Sequence, residues 1–286
     1  MLFNQITIIG VGLIGGSLGL ALKKKKGVKS VVGYGRRRGA LHKAVSIQAI
    51  DRYCLTLPKA VQDADLVMLA TPIGTFEPLC RMMAPHLKEG AIVTDAGSAK
   101  GDMVRNIEAL MPPHADFVGG HPIAGREKSG IMAATGVLFK GSRTLLTPTP
   151  ETNAEALKKV RILWESVGSK VSEIDPYDHD RILSSVSHLP HVVAYALMEM
   201  LTHPRIAPLN PVQYSAGGLR DFTRIAASSP EMWRDIFLAN KEAVIEGIDI
   251  YQETLEKIKK KILNDDGDGM IEIFKRANDI REQATR

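Results

Sequence analysis

The feature that most restricts this chain is a strand that runs straight into a glycine-rich turn and then a helix. Gln5-Ile6-Thr7-Ile8-Ile9 leads into Gly10-Val11-Gly12-Leu13-Ile14-Gly15, and Gly16-Ser17-Leu18-Gly19-Leu20-Ala21-Leu22 follows. A bare G-x-G-x-x-G is a weak signal. Set between a β-branched strand and a helix, it has a mechanism. Gly10 allows the tight turn and Gly12 the approach of a pyrophosphate. Gly15 lets helix pack against strand, and the helix N-terminus, with Leu13 and Ile14 in its first turn, favours phosphate charge. The segment predicts the first unit of a dinucleotide-binding, doubly wound α/β fold.

The second half of the fingerprint departs from the usual pattern. About 20 residues on, an acid ordinarily closes the second strand and binds the ribose 2′-hydroxyl. Here the second strand reads Ser30-Val31-Val32-Gly33-Tyr34, and Gly35 follows it, then Arg36-Arg37-Arg38. A carboxylate there would repel a 2′-phosphate, whereas guanidinium groups bind one bidentately. Gly35, Arg36 and Arg37 therefore point to NADP in preference to NAD. A solvated basic turn is the plainer alternative, since charge runs are usually that.

The chain has 286 residues, 44% hydrophobic and 24% charged, an ordinary globular balance that suits two domains. A net charge of +5 suits anionic small ligands. Aromatic residues make up 5%, and no basic patch interleaved with stacking aromatics appears, so nucleic acid is not an expected partner. The uncharged stretch Ile6 to Leu22 is not read as a secretion signal, because Lys23-Lys24-Lys25-Lys26 follows it instead of preceding it. Those lysines suit the C-terminal end of a helix. No other stretch approaches a membrane span. The two cysteines, Cys54 and Cys80, fit a reducing compartment, so a cytoplasmic location is expected.

The organisation changes near residue 175. Before it, strands and helices alternate: Leu66 to Ala70 and Ala91 to Asp95 are apolar strand-length runs, and Phe117-Val118-Gly119 and Thr144 to Thr147 are shorter candidates. Glu151 to Val167 reads as a helix and Lys170 to Ile174 as a last strand. Such alternation predicts a parallel sheet, with ligands outside its carboxyl ends, near Thr71, Pro72, Gly97 and Ser98. After it the strand signals stop. Asp175-Pro176 is an N-cap followed by proline at the first helical position. A helical pattern then runs from Tyr177 to about Leu201 with a kink at Pro190, and Trp233 to Lys261 is amphipathic. We therefore expect a dinucleotide-binding domain over 1–174 and an all-helical domain over 175–286.

Polar candidates lie on both. His121 sits in Gly119-Gly120-His121-Pro122-Ile123-Ala124-Gly125, read as a glycine-rich loop at a strand end, and its ordinary pKa suits a general base. His188 and His191, in Ser187-His188-Leu189-Pro190-His191, are three apart on one helical face. That spacing invites a metal, but no third ligand is near in sequence, and no metal is expected. Arg224 could hold a carboxylate. Asn264 to Gly269 begins like a calcium loop, but position twelve is Lys275 where a bidentate Glu belongs, so it is read as an interhelical turn.

Together these stretches resemble the prephenate/arogenate (cyclohexadienyl) dehydrogenase family of tyrosine biosynthesis. The resemblance is carried by Ile8 to Gly16, Ala70 to Ile73, Thr94 to Gly101, Gly119 to Gly130, Ser187 to His191, Gly217 to Ala226 and Met232 to Asp235, most specifically by the two histidine stretches. It implies a dinucleotide domain followed by a helical domain that dimerises, with the active site in the cleft between them. It implies oxidative decarboxylation of prephenate or arogenate, with His121 accepting the C4 hydroxyl proton and Ser98 orienting that hydroxyl. Arg224 would bind the ring carboxylate, and Ser187, His188 and His191 would line the side-chain pocket. Many members have an acid where this chain has Gly35, which favours NADP while leaving NAD possible. Starting at its first strand, the chain is expected to carry no fused mutase or regulatory domain. Two other readings stay open: a β-hydroxyacid dehydrogenase or imine reductase, for which the context around Lys241 does not match, and a non-catalytic NADP-binding regulator.

Overall fold

The structure, a computed structural model, describes residues 2–25, 27–125 and 129–285. Lys26, read above as part of a helix end, and residues 126–128 of the Gly119–Gly130 stretch lie outside the described residues. The chain divides into two compact units, Met1–Asn240 and Lys241–Arg286.

The first unit is built on six parallel strands: β1 (Phe3–Ile9), β2 (Val28–Tyr34), β3 (Arg52–Cys54), β4 (Leu66–Leu69), β5 (Ala91–Asp95) and β6 (Ala115–Val118). Their order is β3-β2-β1-β4-β5-β6, so the winding reverses between β1 and β4. Helices α1 (Leu13–Lys25), α2 (Arg38–Ser46), α3 (Leu57–Val61), α4 (Phe76–Met83), α5 (Gly101–Glu108) and α6 (Ala154–Ser166) accompany the sheet. On one face Ile6, Ile8, Leu66 and Met68 pack with Leu18 and Leu22 of α1 and Trp164 of α6. On the other, Val67, Leu69, Val93 and Phe117 pack with Phe76 and Cys80 of α4 and Ile107 of α5. A parallel sheet buried on both faces explains why these strands read as continuous apolar runs. Each such side chain contributes about 1.5–3 kcal/mol relative to exposure.

Two glycines of the first turn are forced by packing. Gly10 has φ +96, and a Cβ there would lie 2.5 Å from the Ala70 carbonyl oxygen. A Cβ on Gly15 would lie 2.3 Å from the Gly10 oxygen.

A second, three-stranded sheet corrects the expectation that all later strands extend the first. It comprises β7 (Gly120–Ile123), β8 (Arg143–Leu146) and β9 (Lys170–Glu173), with β7 antiparallel and β9 parallel to β8. The Gly120 N–H is taken by the Asp95 side chain at 2.9 Å, and the Thr147 N–H donates to Gly119 O at 3.0 Å. The chain therefore leaves the six-stranded sheet at Gly119, where a Cβ would lie 2.4 Å from Thr147 Oγ1. A second correction follows: His121 lies in a strand, paired opposite Leu145, and not in a loop.

Every described element after Glu173 is helical. Asp175 caps α7 (Pro176–Leu183), accepting from the N–H groups of Tyr177 and Asp178 at 2.8 and 3.2 Å. A π-helical turn, Ser184–His188, joins α7 to α8 (Leu189–Met200). The expected kink at Pro190 is thus a widened turn ahead of the proline, which has no N–H to continue the α ladder. Helix α9 (Gly217–Thr223) leads into a 3₁₀ turn, Arg224–Ala227, and then α10 (Pro230–Ala239). The amphipathic Trp233–Lys261 segment is not one helix, because Asn240 adopts φ −116, ψ 42 and ends α10.

The second unit is a helical hairpin of α11 (Lys241–Leu263) and α12 (Gly267–Thr285). Its turn carries Asp265 at φ 51, and Asp266 accepts from the Gly269 N–H at 2.9 Å and Lys261 Nζ at 2.6 Å.

Candidate active site

Helix α1 starts at Leu13 with no acidic residue in its first turn, and its early N–H groups have no intrahelical partners. A Cβ built on Gly12 meets nothing within 4 Å, so the space in front of the turn is open. Thr71 and Pro72 follow β4 beside the winding reversal, where Thr71 Oγ1 lies 2.7 Å from Thr75 Oγ1. This donor-rich, uncrowded turn fits a dinucleotide pyrophosphate. Arg36 and Arg37 are exposed just before α2. A Cβ on Gly35 would find only Leu41 Cδ2, at 3.8 Å, so packing does not require glycine there.

The carboxyl end of β5 is organised by Asp95, which is fully buried. Its carboxylate accepts from the N–H groups of Gly97 at 2.7 Å and Gly120 at 2.9 Å, and pairs with the fully buried Lys100 ammonium. Burial pulls the Lys100 pKa below its ordinary value, and the Asp95 charge opposes that pull. One carboxylate thus fastens the turn that carries half-buried Ser98 to the strand that carries His121.

His121 is 9% exposed. Its Nδ1 lies 2.9 Å from His179 Nε2, and His179 Nδ1 lies 2.7 Å from Asp180 Oδ1. Burial, then the nearby His179, Lys100 and His188, holds the His121 pKa well below 6.5. The ring is neutral near pH 7, as a base must be. His188 is fully buried, and burial pushes its pKa down to about 4. Asn240 Nδ2 donates to Asp180 O at 2.8 Å and lies 3.0 Å from His188 Nδ1. His188 Nδ1 is therefore an acceptor and its Nε2 carries the proton. That buried N–H faces the Ser98 backbone, a contact that opposes the downward pull of burial on the ring.

His191 stacks on Trp233 with ring centroids 3.5 Å apart and donates from Nδ1 to Ser187 O at 2.8 Å. Burial lowers its pKa, and the Arg224 charge adds to that, which places the exposed Arg224 guanidinium near this ring. The structure thus gathers His121, His188, His191 and Arg224, together with the Ser98 backbone, which faces His188. Ser187 takes part through its carbonyl. Gly35 to Arg37 stand apart, at the end of β2, with β1 and β4 between them and β5. Among the described residues no group of three or more His, Cys, Asp or Glu side chains could hold a metal ion.

Sequence reading missed His179, Asp180, Asn240, Lys100 and Trp233 as parts of this cluster. A signal existed for two of them. Once Asp175 fixes the start of α7, His179 and Asp180 fall on the same buried stripe as Pro176 and Leu183. Polar residues on an apolar stripe need partners.

The family model described as prephenate dehydrogenase, nucleotide-binding domain, matches residues 18–173, and that described as its dimerization domain matches residues 175–276. The chain belongs to the prephenate dehydrogenase family. It is 35% identical over 281 residues to a Bacillus subtilis prephenate dehydrogenase, covering 98% of this chain and 76% of that one. The crystal structure of prephenate dehydrogenase from A. aeolicus with hydroxyphenyl propionate and NAD+ superposes with TM-score 0.92 and 38% identity, covering 98% of each chain. Synechocystis arogenate dehydrogenase gives TM-score 0.82 and 30% identity over 98% of this chain and 99% of that one. As a member of this family the chain is an oxidoreductase that uses a nicotinamide cofactor. This membership sets aside the hydroxyacid dehydrogenase and non-catalytic readings.

Proposed function

We propose that this chain oxidatively decarboxylates prephenate or arogenate, with His121 as the base and NADP as the preferred cofactor. The observation that carries the reading is a buried, neutral histidine, His121, beside the carboxyl end of the nucleotide-binding sheet, with the buried His188 ring near it. When bound, the nicotinamide accepts a hydride from C4 of the substrate ring.

His121 Nε2 takes the proton of the C4 hydroxyl as the C4–H bond breaks. Ser98 holds that hydroxyl in line, and burial keeps water from competing for the ring nitrogen. Loss of the C1 carboxylate as carbon dioxide leaves its electron pair in the ring, which becomes aromatic. The ring oxygen then recovers a proton, and His121 is the nearby acid that can return it. Arg224 binds the ring carboxylate, and His188 and His191, with Ser187, line the pocket for the side chain. Gly10, Gly12, Leu13, Ile14, Gly15, Thr71 and Pro72 bind the cofactor, and Gly35, Arg36 and Arg37 select its 2′-phosphate. Dinucleotide binding is assigned to 1–174, and substrate binding and homodimer formation to 175–286.

Absorbance at about 340 nm reports the reduced nicotinamide directly. Purified protein with prephenate or arogenate and NADP or NAD should generate that signal, faster with NADP. No signal with either substrate would end this reading, and a higher kcat/KM with NAD would end the cofactor assignment.

A further inference from the structure

We propose that His179 and Asp180 are positioning residues that fix the tautomer of His121 and stabilise the charge it gains. The inference rests on His121 being the base. Its starting point is that the contacts allow one self-consistent placement of protons. Asp180 Oδ1 accepts the Lys100 backbone N–H at 2.7 Å and also lies 2.7 Å from His179 Nδ1. A carboxylate has no proton to give, so His179 Nδ1 carries one. A neutral imidazole has a single N–H, so His179 Nε2 is a lone pair. It faces His121 Nδ1 at 2.9 Å, which must therefore be the donor. His121 Nε2 is left as the lone pair that takes the hydroxyl proton.

Burial makes this line decisive. The His179 side chain is fully buried and that of Asp180 is 7% exposed, so water does not compete to orient either ring. The rings are tilted 59° with centroids 5.1 Å apart, so the contact runs through nitrogen and not through stacking. When Nε2 of His121 gains a proton, its Nδ1–H still donates to His179, whose Nδ1–H still donates to the carboxylate. No proton has to move along the line, and the Asp180 charge reaches His121 through a polarised ring.

The groups around the pair are Lys100 and Asp95 at the end of β5, Asp180 on α7 and His188 on the π turn. Lys100 and a protonated His188 disfavour the His121 imidazolium, so the Asp180 carboxylate offsets a positive surround. The same residue governs His188 in the opposite sense: Asp180 O orients the Asn240 amide, which donates to His188 Nδ1. One stretch of α7 therefore makes His121 an acceptor and His188 a donor.

Two measurements on the full chain test this. Ring-nitrogen NMR without substrate, assigned with single His→Gln variants, should show the proton on Nδ1 of His121 and His179 and on Nε2 of His188. A proton on Nε2 of neutral His121 or His179 would overturn the proposal. In kinetics, His179→Ala should lower kcat by about 10²-fold with KM and NADP affinity nearly unchanged. His179→Gln puts an amide oxygen where Nε2 accepts, and should stay within about tenfold of native kcat. Asp180→Asn should shift the acid limb of kcat/KM to lower pH, because the imidazolium loses its countercharge. Equal loss in the Ala and Gln variants, or an unmoved acid limb, would mark a structural role and sink the idea. Native protein that oxidises neither substrate would instead refute the functional reading, and the tautomers would still be read.

Discussion

At the scale of single residues, environment decides what each histidine can do. His121, His179 and His188 are all held neutral by burial, yet their partners give them different protons to offer. Replacing His121 with Asn keeps polarity and removes the base. It should lower kcat by about 10²–10⁴ with little change in KM. Arg224→Ala should mainly raise KM, since a carboxylate loses its partner in ground and transition states alike. Steady-state kinetics separate the two outcomes. At the cofactor end, Gly35→Asp is sterically possible, because only Leu41 Cδ2 approaches a Cβ there. Combined with neutralisation of Arg36, it should move preference towards NAD by about two orders of magnitude, as charge-assisted phosphate contacts are worth about 1.5–3 kcal/mol each. Ratios of kcat/KM for the two cofactors check this. His121 and Gly35 could be singled out in the sequence because local context marks them. For His179 the buried stripe of α7 marks a polar residue that needs a partner, but which partner is not local, since it is a ring 58 positions away in the chain.

At the scale of elements, the site depends on how strand ends are fastened. Asp95 and Lys100 lie five positions apart, and together they hold the β5 turn and the start of β7. Removing one partner of a buried pair leaves the other charge uncompensated. Lys100→Met should therefore cost about 3–5 kcal/mol in urea unfolding, and it should also lower kcat by loosening His121. Full native stability in that variant would show that the pair does not fasten the strand. The strands and helices of the first sheet follow from their apolar runs and the glycine turn. Strand β7 does not, because a four-residue segment containing a proline has little propensity of its own. It is a strand because β8 pairs with it and Asp95 takes its first N–H. The break at Asn240 is equally non-local: its side chain is held by Asp180 O and His188.

For the whole molecule, two consequences can be measured. A helical region of about 110 residues is large for a lid alone, and the family's dimerization-domain model matches 175–276. Sedimentation at micromolar concentration should give an isologous dimer, and a monomer would remove that claim. The buried histidines also set an acid limit on stability. His188 has a folded pKa of about 4 against an ordinary 6.5, so below 6.5 the unfolded chain binds its proton first. Stability should fall as pH drops from 6.5 to 4 and then level, by about 3 kcal/mol for this group. His188→Asn should flatten that part of a urea-midpoint profile relative to native protein. The sequence alone determined the nucleotide-binding half, the change to helices at residue 175 and the histidine stretches. Each of these is written in residues that are neighbours along the chain, through periodicity, turn chemistry and capping. Only the tertiary structure decided which nitrogen of each histidine carries the proton, which sheet each later strand joins and what fastens His121. Those depend on burial and on partners brought together from distant segments, where removal of water turns a single hydrogen bond into the choice between acid and base.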